Sequence, residues 1–374
     1  MSTIFLTGGT GFLGGYVCAW LLRHTDARLA LMTRAPDRAA GIHRLYKAWQ
    51  LHFSVEEFRE LIERVEIVPG DLHAPELGLT ARDIDRLTER CDSVLHIAAS
   101  LNRKSAKACL NSNLRGTLSM LKLARHLADH GGLERYSQVS TVAVAGHRDR
   151  EIVEEDDAIQ WDRSDYDPYG RTKKFAEHMA HELLPDVRKT IFRPSIVMGD
   201  SRFGATTQFD MVRAFCTIAD LPMVPLRPDT RLDIVNADWV GPAIAKIHRD
   251  PDPAHDTYHL SSGRHSRTAH EIARALTASR GGRTPRFVPQ GEPVFWNVVR
   301  AANRAPRGSA VAGVGALMKV FWPYITYDTV FSNERAVAAA GAPVPFTEYC
   351  GPLYDWVNEH QFRYPHKTLP EGIV

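Results

Sequence analysis

Short apolar runs rich in β-branched residues alternate with longer segments of helical periodicity over roughly the first two-thirds of the chain. This alternation is typical of a parallel sheet covered by helices on both faces. The pattern predicts strands over Thr3–Thr7, Arg28–Thr33, Val65–Pro69, Ser93–Ile97, Arg135–Ser140 and Lys189–Phe192. It predicts helices over Phe12–His24, Ala81–Glu89, Ala106–Asp129 and Tyr166–Leu184, and a helical insertion at about 38–64 with Ser54 and Glu57 at capping-box spacing.

The regular alternation ends after Pro194. A short strand at Arg231–Val235 leads to Asp238, which we expect to cap a helix beginning at Trp239. A strand near Tyr258–Ser261 precedes a helix near Ala269–Ser279, and the stretch from about 280 to 330 is predicted to be irregular. We therefore expect a domain over 1–194 and a smaller, mainly substrate-binding lobe over 195–374. Segments near 231–279 are expected to return partly to the main sheet.

Composition places the chain among ordinary globular proteins. Its 374 residues are 44% apolar and 24% charged, and a formal net charge of +2 by itself decides nothing about a nucleic-acid or membrane partner. We expect no nucleic-acid partner. Five scattered cysteines show no metal-type spacing, which favours free thiols in a cytoplasmic protein and no metal site. The uncharged stretch Ile4–Leu22 is rich in glycine, which favours a strand, a turn and a helix start over an export signal.

A glycine-rich turn follows the first predicted strand. Glycines at 8, 11 and 14 allow backbone amides and a helix N-terminus to approach a pyrophosphate. The glycines alone could make a plain turn, but the strand–turn–helix context favours dinucleotide binding. The predicted contacts of this turn are Thr7, Gly8, Gly9, Thr10, Gly11, Phe12, Leu13 and Gly14.

The end of the second predicted strand bears on the choice of dinucleotide. An acidic residue there accepts hydrogen bonds from a ribose hydroxyl, whereas an arginine accommodates a 2′-phosphate. Arg34 stands at this position and no carboxylate occurs before Asp37, which favours NADPH over NADH, although Arg34 could also be a solvated surface charge. Asp71 and Leu72, and Ala98 and Ala99, follow the third and fourth strands, at the edge where such sheets bind ligands.

Tyr169 and Lys173 are spaced four residues apart, on one face of a predicted helix. A phenol titrates near pH 10, and a neighbouring cation lowers that pKa, which suits a general acid or base. An ordinary surface pair is the alternative. Ser140 and Thr141, at the end of an earlier strand, favour the catalytic interpretation because a hydroxyl there can hold a carbonyl oxygen beside the phenol.

Together these motifs resemble the extended short-chain dehydrogenases/reductases over roughly residues 3–280. The resemblance is carried by Thr7–Gly14, Gly70–Leu72, His96–Ala99, Asn113–Thr117, Val139–Thr141, Tyr169–Lys173 and Phe192–Pro194. It implies a Rossmann-type doubly wound parallel sheet, with Thr141, Tyr169 and Lys173 as catalytic residues. It also implies that Lys173 contacts the nicotinamide ribose, and that Asn113, Pro194, Ser195 and Ile196 belong to the cofactor site. Ser140 remains an alternative hydroxyl in contact with substrate.

The sequence Phe192–Asp200, with His96–Asn102, is most similar to the thioester-reductase and fatty-acyl-CoA-reductase branch. That resemblance implies NADPH-dependent reduction of an acyl thioester, borne by CoA or a carrier protein, to an aldehyde and in some cases onward to an alcohol. Three alternatives stay open: a redox-neutral sugar-nucleotide epimerase or dehydratase, a 3β-hydroxysteroid-type dehydrogenase, and a dinucleotide sensor without catalysis.

The stretch from 280 to 307 has six arginines and one acid. Such a patch suits substrate phosphates or an acidic carrier, or is simply a solvated basic surface. Arg300, Arg304 and Arg307 are the candidate substrate contacts. The apolar stretch Val311–Trp322 follows, and it could be a lid over an acyl chain, a membrane-surface contact or a buried helix.

Overall fold

The computed structural model describes residues 2–156, 159–306, 309–326 and 328–373. Its strands are β1 (Thr3–Thr7), β2 (Arg28–Thr33), β3 (Val65–Pro69), β4 (Ser93–His96), β5 (Arg135–Val139), β6 (Ile152–Val153), β7 (Arg188–Pro194), β8 (Ile196–Val197), β9 (Met223–Val224), β10 (Arg231–Leu232), β11 (Ile234–Val235), β12 (Thr257–Leu260), β13 (Arg267–Thr268), β14 (Arg286–Phe287) and β15 (Val330–Phe331).

The helices are α1 (Phe12–His24), α2 (Arg38–Trp49), α3 (Val55–Leu61), α4 (Ala81–Arg90), α5 (Ala106–Cys109), α6 (Thr117–His130), α7 (Pro168–Leu183), α8 (Asp210–Ala219), α9 (Ala237–Arg249), α10 (Ala269–Arg280), α11 (Glu292–Ala302), α12 (Ala310–Ile325), α13 (Glu334–Ala340) and α14 (Phe346–Glu359). A π-helical segment, Leu110–Gly116, joins α5 to α6.

A seven-stranded parallel sheet organises the first part of the chain. Its order is β3-β2-β1-β4-β5-β7-β12, and the strand order reverses direction between β1 and β4. Apolar side chains of α1, α2 and α9 cover one face, and those of α4, α6 and α7 cover the other. The predicted doubly wound α/β fold is confirmed, because buried strands of this kind need helices on both faces.

The later part of the chain forms a lobe with its own apolar core, drawn from α8, α10, α12 and α14. Strand β12 nevertheless pairs with β7 at the edge of the main sheet, and α9 packs against α1 on one of its faces. Residues after 194 therefore contribute both to the main sheet with its helices and to the later lobe.

Two expectations for this region were wrong. The stretch from 280 to 330 contains α11 and α12, which pack against each other, so it is largely helical. Asp238 is not the cap of α9, because the helix begins earlier, at Ala237, and Asn236 precedes it. The Asp238 carboxylate instead accepts hydrogen bonds from the backbone nitrogen and hydroxyl of Ser201, at 2.9 and 2.6 Å.

Among the described residues, no helix is both long and apolar enough to cross a bilayer.

Candidate active site

The carboxyl ends of β1, β2, β4, β5 and β7 open onto one cavity of about 630 Å³. Residues of α8 and α12 and the segments around 231–233 and 329–331 also line this cavity. The cavity lies beside the reversal of strand order, where doubly wound sheets bind their ligands.

The turn after β1 is packed so closely that it requires glycine. Gly8 has a φ of +84°, and a Cβ on it would lie 2.7 Å from the backbone nitrogen of Ala98. A Cβ on Gly14 would lie 2.0 Å from the carbonyl oxygen of Gly8. No side chain caps α1 at Gly11, so the first N–H groups of that helix remain available to an anion in the cavity. The turn therefore fits the pyrophosphate of a dinucleotide.

Two arginines line the cavity near the end of β2. Arg34 was predicted from the sequence, and Arg44 on α2 was not. The nearby Asp37 caps α2, because its carboxylate accepts a hydrogen bond from the backbone nitrogen of Ala40 at 2.8 Å. This part of the wall therefore presents two guanidinium groups, which are suited to a phosphate.

Most predicted cofactor residues line the cavity: Gly8, Thr10, Gly11, Phe12, Leu13, Gly14, Arg34, Asp71, Leu72, Ala98, Ala99, Tyr169, Lys173, Pro194, Ser195 and Ile196. Three do not line it: Thr7, Gly9 and Asn113. Thr7 Oγ1 is hydrogen-bonded to Nδ1 of the buried His96 at 2.7 Å. Asn113 Oδ1 accepts from the backbone nitrogen of Ser100 at 2.7 Å. Thr7 and Asn113 therefore do not line the cavity but hold the segment from His96 to Ser100 through these hydrogen bonds.

Helix α7 brings the predicted tyrosine and lysine to the cavity wall. Asp167 caps it by accepting from the backbone nitrogen of Gly170 at 2.9 Å, and Pro168 occupies its first position, so Tyr169 lies in the first turn. The Nζ of Lys173 donates to the carbonyl oxygen of Val139 at 2.7 Å, which ties the helix to the end of β5.

Thr141 and Ser140 follow β5 and face the same space. Thr141 Oγ1 accepts from the backbone nitrogen of Ala143 at 3.2 Å. Ser140 Oγ has no hydrogen-bond partner within the part of the chain that the structure describes. Both hydroxyls are buried, so each can serve a polar group of a ligand at this wall.

Burial sets the electrostatics of the tyrosine–lysine pair. It raises the pKa of Tyr169, whereas the positive charge of Arg103 and a hydrogen bond with Thr141 lower that pKa. Burial lowers the pKa of Lys173 to about 8, and the nearby Glu177 carboxylate opposes that change. The lowered pKa of Lys173 is typical of groups that exchange protons near neutral pH, whereas burial moves the pKa of Tyr169 away from that range.

The sequence analysis missed several lining residues that lie outside the recognised motifs: Arg44, Arg103, Gln208, Arg231, Asp233, Tyr324, Thr329 and Phe331. Arg103 directly follows the motif His96–Asn102, and this neighbourhood was the one signal that could have pointed to it. Burial raises the pKa of Asp233 to about 7.

The predicted substrate arginines do not reach the cavity. Arg300 and Arg304 lie exposed at the end of α11, and Arg307 lies outside the described residues. Arg280, from the same basic stretch, forms an ion pair with Asp220 at 2.8 Å.

Helix α12 contains the apolar stretch Val311–Trp322. Val311 and Val314 in its first turns are 58% and 42% exposed, whereas Trp322 near its end is 1% exposed. Phe321 and Tyr324, also near its end, line the cavity. Helix α12 thus begins with exposed apolar side chains and ends with buried ones, two of which line the cavity.

In the described ranges, no three His, Cys, Asp or Glu side chains group as ligands for a metal ion.

Comparisons with known proteins agree with this geometry. Residues 6–244 match the NAD-binding family described as male sterility protein. The chain is 30% identical over 258 residues to a subunit of the linear gramicidin synthase from Brevibacillus parabrevis, covering 68% of this chain and 5% of that protein. It is 27% identical over 274 residues to L-2-aminoadipate reductase of Schizosaccharomyces pombe, covering 70% and 19%. The chain spans between 5% and 26% of the first curated relatives that it matches.

Among solved structures, the terminal R domain of the myxalamid PKS-NRPS biosynthetic pathway superposes with a TM-score of 0.83 at 25% identity, covering 98% of this chain and 93% of that one. UDP-glucuronic acid 4-epimerase of Bacillus cereus shares the fold, with a TM-score of 0.64 at 17% identity, covering 97% and 99%. With a family match over more than half of its length, the chain belongs to the male sterility protein family, a thioester-reductase-type branch of the NAD(P)-dependent extended short-chain dehydrogenases/reductases.

Proposed function

We propose that this protein reduces an acyl thioester, carried on the pantetheine arm of a carrier protein, to an aldehyde, with NADPH as reductant. One observation carries the proposal: the phenol of Tyr169, the Lys173 side chain and the Thr141 hydroxyl meet at one wall of a cavity that begins at a glycine turn. A proton donor, a cation and an oxyanion-binding hydroxyl are what the reduction of a carbonyl needs beside a dinucleotide.

The residues of the cavity fit a dinucleotide along its length. The turn from Gly8 to Gly14 would hold the pyrophosphate, Arg34 and Arg44 the 2′-phosphate, and Lys173 the nicotinamide ribose. When bound there, the dinucleotide supplies hydride to the acyl carbon.

The chain's own groups would handle the oxygen. Thr141 and Tyr169 donate hydrogen bonds to the carbonyl oxygen, where negative charge develops, and Tyr169 then transfers its proton to that oxygen. The product is a hemithioacetal. When its hydroxyl loses a proton and its carbon–sulfur bond breaks, aldehyde and thiolate form, and the thiolate takes up a proton.

The peptide synthetases among the relatives support a carrier-borne substrate. The matches include a linear gramicidin synthase subunit, a nonribosomal peptide synthetase and an L-2-aminoadipate reductase. In each of them, the matched part is a small share of a longer protein.

The surface of α11 and α12 offers a place for the carrier. Val294 and Val298 lie one turn apart on α11 and are 65% and 60% exposed, and the start of α12 exposes Val311 and Val314. Arg300 and Arg304 lie near the end of α11. An acidic carrier with an apolar helix face would complement such a surface, with the charges mainly steering association.

The test is NADPH consumption with matched substrates: an acyl-pantetheinyl carrier, the same acyl group on CoA, a ketone and a nucleotide sugar. We expect one NADPH per thiol released from the carrier substrate; two would mean onward reduction to alcohol.

Neutralising Arg300 and Arg304 together should raise KM for the carrier substrate most at low salt and leave a short pantetheine thioester unaffected. The paired control neutralises Arg82 and Arg90, which are exposed on α4.

Conversion of the nucleotide sugar without net NADPH consumption would contradict the proposal and indicate an epimerase. NADPH consumption with the ketone alone would indicate a hydroxysteroid-type dehydrogenase. An equal rise in KM for both thioesters would remove the α11 arginines from carrier binding.

We expect NADPH to bind at least about tenfold more tightly than NADH, equivalent to about 1.4 kcal/mol, because two arginines face the predicted 2′-phosphate position. Arg34→Ala and Arg44→Ala should each reduce this preference, and the double variant should abolish it. Calorimetric titration of both cofactors into the four proteins measures the effect. Arg28→Ala, an exposed arginine at the start of β2, is the control. Equal affinities for the two cofactors in the unmodified protein would end this assignment.

A further inference from the structure

Arg103 lies in the cavity beside the candidate acid. It belongs to the segment between β4 and α5, and its side chain is 14% exposed. Its guanidinium carbon lies 4.7 Å from the ring centre of Tyr169, 4.8 Å from that of Tyr324 and 5.4 Å from that of Phe321. Distances below about 6 Å are those of cation–π contacts. The guanidinium is therefore surrounded by three aromatic rings, one of them that of the candidate acid.

A carboxylate and a second phenol hold this arginine in place. Arg103 Nε lies 3.6 Å from Oδ2 of Asp167, the capping residue of α7. Tyr324, on α12, donates its hydroxyl to the same Oδ2 at 2.7 Å. One network thus joins the segment after β4, the start of the helix that carries Tyr169, and the end of α12.

We propose that Arg103 is a positioning residue for the reaction, which stabilises the ionised form of the Tyr169 phenol and thereby makes Tyr169 a stronger acid. A cation over the ring attracts phenolate more than neutral phenol, and the buried setting strengthens that attraction. The proposal rests on the proposed function only in taking Tyr169 as the proton donor.

Among the groups around Tyr169, Arg103 is the one best placed to stabilise the ionised phenol. Lys173, one turn along α7, donates to the Val139 carbonyl, which anchors its cation at the end of β5. Asp167 and Cys109 oppose ionisation of the phenol, and the hydrogen bond with Thr141 favours it. The positive charge of Arg103 is the largest influence that lowers the pKa of Tyr169.

The test is an alkaline titration of Tyr169 without substrate. Tyrosinate absorbance is recorded after rapid mixing into buffers of rising pH, and the curve of the matching Tyr169→Phe protein is subtracted. We expect Arg103→Met to raise the pKa of Tyr169 by about one pH unit or more, since an opposite charge at 4–6 Å is worth about 1–3. Arg103→Lys should keep most of the original value. Lys104→Met removes the same charge one residue away, on an exposed side chain, and should change nothing.

Asp167→Asn should lower the pKa of Tyr169, because it removes a negative charge that opposes ionisation of the phenol. Asparagine can still cap α7. If Arg103→Met does not fold, Arg103→Gln keeps the length and polarity of the side chain and carries the same expectation. With an active substrate, kcat at neutral pH should fall by up to about tenfold with unchanged NADPH affinity.

An unchanged Tyr169 titration curve in folded Arg103→Met or Arg103→Gln would overturn the inference. Because the titration needs no substrate, that result is distinct from failure of the proposed thioester reduction, which would leave the titration as expected.

Discussion

Tyr169→Phe is expected to lower turnover by about 10²–10⁴-fold, the usual cost of removing a positioned general acid. The substitution removes the phenolic hydroxyl and leaves the ring, which is 6% exposed and packs under Arg103. Folding and cofactor affinity should therefore be nearly unchanged. Steady-state kinetics with the best thioester substrate, and calorimetric titration of NADPH, measure the two quantities separately.

Tyr136→Phe is the matched control, because Tyr136 is a buried tyrosine of β5 whose hydroxyl donates to Gln138 away from the cavity. Its turnover should be near that of the unmodified protein. Thr141→Val should lower kcat with little change in cofactor affinity, and Lys173→Ala should reduce both. A folded Tyr169→Phe protein with more than about a tenth of normal turnover would show that another group supplies the proton.

Glu177→Ala is expected to lower the free energy of unfolding by about 3–5 kcal/mol, the usual cost of removing one partner from a buried ion pair. Glu177 is fully buried, and its Oε2 accepts from Arg193 Nη2 at 2.7 Å. Arg193 Nη1 also donates to the carbonyl oxygen of Asp156 at 2.7 Å. Truncation removes the Glu177 carboxylate from the buried Arg193 guanidinium, between α7 and β7. Urea unfolding followed by circular dichroism measures the loss.

Glu182→Ala provides the comparison on the same helix. Glu182 is 67% exposed and lies 3.9 Å from His178, so its loss should change the free energy of unfolding by less than about 1 kcal/mol. Glu177→Gln, which keeps hydrogen-bonding capacity, should fall between the two. If Glu177→Ala and Glu182→Ala unfold at the same urea concentration, the buried pair does not stabilise the fold.

The local patterns in the sequence were enough to predict the main sheet. The ends of β1, β2 and β3 and both ends of α1 match the sequence-based boundaries, because apolar period, glycine turns and end signals are properties of neighbouring residues. The capping box of Ser54 and Glu57 is also present as predicted. The predicted catalytic set lies together at one wall, since the carboxyl ends of parallel strands share one edge.

The tertiary structure alone decided what faces this set from the other side. Arg103 meets Tyr324 through a contact between elements far apart in the chain, whose relative orientation no local pattern encodes. For the same reason, the basic stretch did not predict which arginines line the cavity. Arg300 and Arg304 lie on the surface, whereas Arg44 and Arg103, which no motif had singled out, line it. An arginine looks the same in sequence whether solvated or held over an aromatic ring, because the difference lies in packing between distant elements.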